Sequence, residues 1–284
     1  MNTATLLCSC TDRTGIVSSL TAFVAEYGGN ITDLDQHTDS TNNQFFMRLV
    51  WDLANSKLSR DDLPAAVSLV AKKFTDMRWN LFFRTPTPRV AILASTTPHC
   101  LADLLLRHQM GELNGEMAMV IANHEDLRDL SEHFKVPFHH IPVEKGKKEE
   151  AEKKQLDLLR ENNIDLVVLA RYMQILSPNF IREWEGRIIN IHHSFLPAFV
   201  GAKPYHQAKA RGVKIIGATA HYVTADLDQG PIIAQDVTRV SHRDEVDDLI
   251  RKGRDIERQV LGTAVRLHLN RRIITTHNRT IVFY

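Results

Sequence analysis

From residue 89 onward, short apolar runs alternate with segments of helical period, and this alternation limits the fold more than any other feature of the chain. Residues 90–94, 117–121, 138–141, 166–170, 187–191 and 214–222 read as strands. Helical patterns at 101–110 and 147–161 lie between them. A long helix is predicted over 244–269, where Val246, Leu249, Ile250, Ile256, Val260 and Leu261 share a face, and 272–284 read as a closing hairpin. Strands that are apolar along their whole length and linked by helices predict a mainly parallel sheet covered on both faces. Such sheets bind ligands beyond the carboxyl ends of their strands.

A second apolar system precedes this one. The joint is Arg84-Thr85-Pro86-Thr87-Pro88-Arg89, where two prolines stop a helix or central strand from running through. Upstream, 3–10, 31–38, 44–53 and 77–83 read as strands. Helices are expected over 15–27, with Ile16, Leu20, Phe23, Val24 and Tyr27 apolar, and over 61–74. The order βαββαβ is the ferredoxin-like plan. The expected domains are therefore 1–84 and 89–284, with 85–88 as linker. Residues Thr11-Asp12-Arg13-Thr14-Gly15-Ile16-Val17 and Gly29-Asn30-Ile31 resemble ACT regulatory domains. That resemblance implies an amino-acid effector and pairing between subunits, hence a homo-oligomer. The plain alternative is that Asp12 caps the first helix and Gly15 makes a tight turn.

Charge excludes some partners. Lys plus Arg total 35 against 34 for Asp plus Glu, so the net charge of +1 lacks the basic excess that nucleic-acid binding needs. No apolar run reaches the length of a membrane span, and the start shows no basic-then-apolar leader, so a cytoplasmic protein with no membrane partner is expected. Three cysteines, Cys8, Cys10 and Cys100, suit buried thiols in a reducing compartment. The charged run 144–154 mixes both signs and reads as a solvated loop and helix start.

The chemistry concentrates between 187 and 235. Asn190 and His192 end one apolar strand and, two apart, face the same side of it. A second apolar strand and the loop after it deliver Asp228. An amide donor, an imidazole and a carboxylate that converge can move a proton and hold an oxyanion at a carbonyl carbon. His193 is expected on the opposite face, His206 at a helix start facing solvent, and His221 on the strand leading to Asp228. No metal site is expected, because the chain lacks a His-Glu-x-x-His pairing or a cysteine cluster.

The words Asn190-Ile191-His192-His193-Ser194-Phe195-Leu196-Pro197, Gly217-Ala218-Thr219-Ala220-His221-Tyr222-Val223 and Leu227-Asp228-Gln229-Gly230-Pro231 resemble the Asn-x-His…Asp signature of formyltetrahydrofolate-using enzymes. Their wording is most similar to the deformylase branch of that family. The resemblance covers nearly the whole chain. It implies an α/β protein: an N-terminal ferredoxin-like, ACT-like domain, then a mainly parallel, Rossmann-like formyltransferase domain. It implies 10-formyltetrahydrofolate as the small-molecule substrate, with no further cofactor. Asn190, His192 and Asp228 would be catalytic. Met173, Leu176 and the Gln174 backbone would line the pterin pocket, closed on its other side by Val223, Thr224 and the loop to Asp228, with His221 in support. Formate and tetrahydrofolate would be the products, the formate supplying purine biosynthesis and the reaction balancing the one-carbon folate pool. The stretch Leu93-Ala94-Ser95-Thr96-Thr97-Pro98-His99-Cys100-Leu101 contains no glycine, and Pro98 removes an N–H donor, so a phosphate-cradling loop is not expected there. Water is then the expected formyl acceptor. Transfer to another amine, or a silent folate-binding sensor, are the alternatives.

Overall fold

The structure, a computed structural model, describes residues 2–197 and 204–284. Its residues cluster into two units. One comprises 1–87 with 271–276 and 281–284, and the other 88–270 with 277–280.

The first unit contains β1 (Thr3–Thr11), α1 (Ile16–Glu26), β2 (Asn30–Asp39), β3 (Gln44–Asp52), α2 (Leu63–Ala71) and β4 (Arg78–Phe83). Its four strands pair antiparallel in the order β2-β3-β1-β4. One face of that sheet meets the apolar stripe of α1, so Leu20, Phe23 and Val24 pack with Leu6, Met47, Trp51 and Val67. Gly15 is the residue that starts α1, at φ 94°, and no side chain caps the helix, so Asp12 does not serve as a cap. The turn after β4 leads into residues that return only at the C-terminus. Leu7 and Phe46 form an apolar cluster with Ile274 and Phe283. Arg48 reaches the backbone oxygen of Arg271 and pairs with Asp33. Cys8, Cys10 and Cys100 are all free and buried. Burial pushes the Cys8 thiol up to about 12.

The second unit runs β5 (Arg89–Ala94), α3 (His99–Gln109), β6 (Glu116–Ala122), α4 (Arg128–His133), β7 (Phe138–His140), α5 (Lys148–Glu161), β8 (Leu166–Ala170), α6 (Pro178–Glu183), β9 (Ile188–His192), α7 (Pro204–Arg211), β10 (Ile215–Tyr222), β11 (Ile232–Arg239) and α8 (Val246–Leu269). A short pair, β12 (Ile273–Thr276) and β13 (Arg279–Val282), ends the chain. The sheet has seven strands in the order β11-β10-β9-β8-β5-β6-β7. Pairing is parallel from β9 to β7 and antiparallel on both sides of β10. On one face Leu93, Ile121, Val167 and Leu169 meet Leu156, Leu159, Phe180 and Trp184. On the other, α8 buries Leu249, Ile256, Val260, Leu261 and Val265. Among the described residues, no helix is long and apolar enough to cross a membrane.

Three sequence expectations need correction. The strand β11 was not anticipated, because 232–239 is mostly half-buried or exposed at the sheet edge and lacks the continuous apolar run of its neighbours. The short helices α4 and α6 span too few residues to show a periodic stripe. The charged run 144–154 is not uniformly solvated, since Glu152 is 5% exposed.

Candidate active site

The site is set by strand register. In the antiparallel pair of β9 and β10, His221 lies opposite Asn190 and Thr219 opposite His192. Directly opposed residues share a face. Asn190 Nδ2 accordingly lies 3.3 Å from His221 Nε2. The other ring nitrogen, His221 Nδ1, is 2.9 Å from the Tyr222 carbonyl oxygen, which can only accept. His221 Nδ1 therefore carries the proton, and Nε2 accepts from the Asn190 amide.

The loop between β10 and β11 folds back over the end of β9. It places Asp228 Oδ2 3.2 Å from His192 Nδ1 and Oδ1 3.7 Å from His221 Nε2. Asp228 sits in the left-handed region at φ 56°. Gly230 makes the turn possible, because a Cβ there would lie 1.7 Å from the Tyr222 carbonyl oxygen. Hydrogen bonding to His192 holds the Asp228 carboxyl well below the usual carboxylate range despite its burial. His192 donates through Nδ1, and its buried Nε2 makes no hydrogen bond with the described residues. That nitrogen is the one left for chemistry.

Thr219 fixes the exit from β9. Its hydroxyl donates to the Ser194 carbonyl at 2.9 Å and accepts from the Leu196 N–H at 3.0 Å. The chain has already turned at His193, so its ring does not face away from His192. The two imidazoles stack at 5.0 Å with 24° between their planes. Period-two reasoning fails there because the strand ends at His192. Burial first, and then the Arg171 guanidinium, pushes the His193 imidazole down to about 4. His206 lies exposed on α7.

A cleft of about 300 Å³ opens beside these groups. Met173, Gln174, Leu176, Val223 and Thr224 all line it, together with Asn190, His192, His221 and Asp228. Its size is at the lower end for small-molecule pockets. Met173 and Leu227 are 59% and 57% exposed, so they offer apolar surface that the protein itself leaves uncovered. Leu176 is instead mostly buried, part of the core beside Phe180 as well as of the cleft wall. The segment after β8 is braced from below. Ser95 Oγ accepts from the Met173 N–H at 3.0 Å and donates to Asn123 Oδ1 at 2.7 Å. Glu152 accepts from the Ser177 N–H at 2.9 Å, and Gln155 donates to the Tyr172 hydroxyl at 2.9 Å.

Sequence reasoning missed a buried ionic cluster at the same edge. Glu257 on α8 is 2% exposed. Its oxygens lie 2.7 Å from His99 Nε2, 3.0 Å from the Tyr205 hydroxyl and 3.6 Å from Arg171 Nε. Burial raises the Glu257 carboxyl, but His99 and Arg171 outweigh it and the net direction is down. Donor atoms of His99, Cys100 and Glu257 lie within 4.8 Å of one another, a spacing that suits a cation. Arg171 already supplies the compensating positive charge, and burial holds the Cys100 thiol protonated. The cluster is an ion-paired knot that ties the start of α3, the end of β8 and α7 to α8. Its one sequence signal is a glutamate on the apolar face of α8, four residues after Gly253 and four before Leu261.

Fold and site together define a formyl-transfer α/β domain with an ACT domain ahead of it. The formyl transferase family model matches residues 88–265, and the ACT domain model matches residues 4–52. A formyltetrahydrofolate deformylase of Synechocystis sp. is 53% identical, covering 99% of this chain and 98% of that one. Another, of Bacillus subtilis, is 51% identical over 98% of this chain and 93% of that one. The crystal structure of a formyltetrahydrofolate deformylase from Pseudomonas syringae superposes with a TM-score of 0.96 at 46% identity, covering 100% of this chain and 95% of that one. The chain belongs to the formyltetrahydrofolate deformylase family.

Proposed function

We propose that this protein hydrolyses 10-formyltetrahydrofolate to formate and tetrahydrofolate in the cytoplasm. The observation that carries the reading is the convergence of Asn190, His192 and Asp228, with His221, beside an apolar cleft. The pterin ring lies against Met173 and Leu176, with Gln174 backbone groups at its edge and Val223 and Thr224 across from it. The formyl carbon then sits at the end of β9.

Water attacks that carbon and a tetrahedral oxyanion forms. The Asn190 amide has two N–H groups and spends one on His221, leaving the other for the oxyanion. Asp228 fixes the His192 tautomer through Nδ1, so that Nε2 can carry a proton and, with that proton, stabilise the same oxygen. Asp228 also helps to deprotonate the attacking water. The C–N bond breaks as the N10 nitrogen gains a proton, giving formate and tetrahydrofolate.

Water is favoured over an amine acceptor by the edge beside the cleft. The stretch from Leu93 to Leu101 lacks the glycines of an anion cradle, and Pro98 precedes α3 without an N–H. His99, the first residue of α3, is already engaged by the Glu257 carboxylate.

The N-terminal unit is proposed to bind an amino acid linked to one-carbon supply and to work within a homo-oligomer. Because its apolar cluster includes Ile274 and Phe283, deleting residues 1–85 would strip the C-terminal hairpin of its packing. Effectors are therefore sought on the full chain, by turnover in the presence of each amino acid.

The test of the hydrolase reading is formate and tetrahydrofolate release with no acceptor amine, against an Asp228→Ala control. Release that depends on Asp228 supports it. Folate binding without release in both proteins would refute it.

A further inference from the structure

The loop that carries Asp228 is thin. Leu227 and Asp228 line the folate cleft on one side and, on the other, a second cleft of about 430 Å³. Leu196, Pro197, Gln229, Gly230, Ile232 and Asn278 complete that second cleft among the described residues. A cleft thus lies on each side of the loop. Inside the loop, the Gln229 N–H reaches the Asp226 carbonyl at 3.3 Å, a long bond, and the Thr224 hydroxyl reaches the same carbonyl at 3.1 Å. Asp228 meanwhile holds a positive φ, a region that non-glycine residues visit uncommonly and aspartate more readily than most.

Two further contacts on this loop come from far along the sequence. The Asn278 side-chain amide donates to the Gln229 carbonyl at 2.8 Å, and the Thr280 hydroxyl donates to the Ile232 carbonyl at 2.6 Å. Asn278 lies in the turn between β12 and β13 and Thr280 in β13, and residues 277–280 cluster with the second unit. One bond fixes the Gln229–Gly230 peptide, one residue beyond the peptide that follows Asp228. The other fixes the first residue of β11, where the loop rejoins the sheet.

We propose that Asn278 and Thr280 are positioning residues for the Asp228 carboxylate, clamping its loop from the side away from the folate. The inference rests on the proposed role of Asp228. It assigns a task to a C-terminal turn that neither the strand pattern nor the formyltransferase motif marks. The clamp acts on the geometry of the transition state and leaves the pterin walls at Met173 and Leu176 untouched.

The test uses the full chain and the variants Asn278→Ala, Asn278→Leu and Thr280→Val. Leucine and valine keep the approximate bulk while removing the donor. Displacements of about 1 Å at a catalytic group cost up to about 10²-fold in rate, so a loosened loop is expected to lower kcat about tenfold per variant. KM for 10-formyltetrahydrofolate is expected to stay within about twofold, a split that a general loss of folded protein would not mimic once active sites are titrated. The parent must first show formate release that Asp228→Ala abolishes; if it does not, the hydrolase reading fails and the clamp with it. If it does, and either Asn278→Leu or Thr280→Val keeps parental kcat and KM, the clamp alone is overturned. A melting temperature equal to the parent's, with kcat lowered and KM kept, is the supporting result.

Discussion

His193 gives a prediction whose size can be worked out from the structure. Its ring stacks on His192 and is held near pKa 4, against 6.5 for a free imidazole. Between those values the unfolded chain binds a proton that the folded chain refuses. Stability contributed by the neutral ring is thus complete above about pH 6.5 and is lost as pH falls toward 4. Carrying both values through the linkage relation gives a loss of about 2 kcal/mol at pH 5 and about 0.2 kcal/mol at pH 7. The ring forms part of an open cleft, so water screens it and the measured loss at pH 5 should be about 1–2 kcal/mol. His193→Phe keeps the stacked ring and removes the titration. Urea unfolding at pH 5, 6, 7 and 8, read by pulse-labelled hydrogen exchange of peptides covering 188–192, isolates the C-terminal unit. The parent-minus-variant difference should grow toward acid pH. A difference that stays constant from pH 8 to pH 5 would refute the reasoning.

Other perturbations follow from the same geometry. Asn190→Ala removes an oxyanion donor and should lower kcat by about 10²–10³ with the protein still folded, checked by steady-state formate release and circular dichroism. Glu257→Gln leaves the half-buried Arg171 beside an uncharged amide, and breaking the pair in this way should cost up to about 3 kcal/mol, read as a lower urea midpoint. Gly230→Ala forces a Cβ against the Tyr222 carbonyl, so the Asp228 loop must move; kcat should fall by about 10²-fold while folate binding, measured by fluorescence quenching, persists.

Much of this was legible in the sequence because it depends on local pattern. Fully apolar runs marked β5, β6 and β8, and the Asn190-x-His192 spacing put two functional side chains on one strand face. What escaped was non-local. Among the described residues the edge strand β11 pairs with β10 alone, and it is mostly half-buried or exposed, like a surface segment. His193 stacks on His192 because the strand stops there, and no periodicity announces the stop. The place of His221 depends on the β9–β10 register, which residue spacing leaves open. Glu257 sits on α8 more than 80 residues from its partner Arg171 in sequence, and Asn278 meets the Asp228 loop only through the C-terminal turn. Long-range polar contacts carry no period, and in this protein they brace the site.

The central claim is that the group at the end of β9 directs water to the formyl carbon. Single-turnover hydrolysis of 10-formyltetrahydrofolate in ¹⁸O-water, with no amine present, tests it most directly. Wild-type protein should yield formate bearing one solvent oxygen, and Asp228→Asn should slow that step by about 10²–10⁴. Formate without solvent label, or labelled formate formed equally fast by Asp228→Asn, would contradict the account.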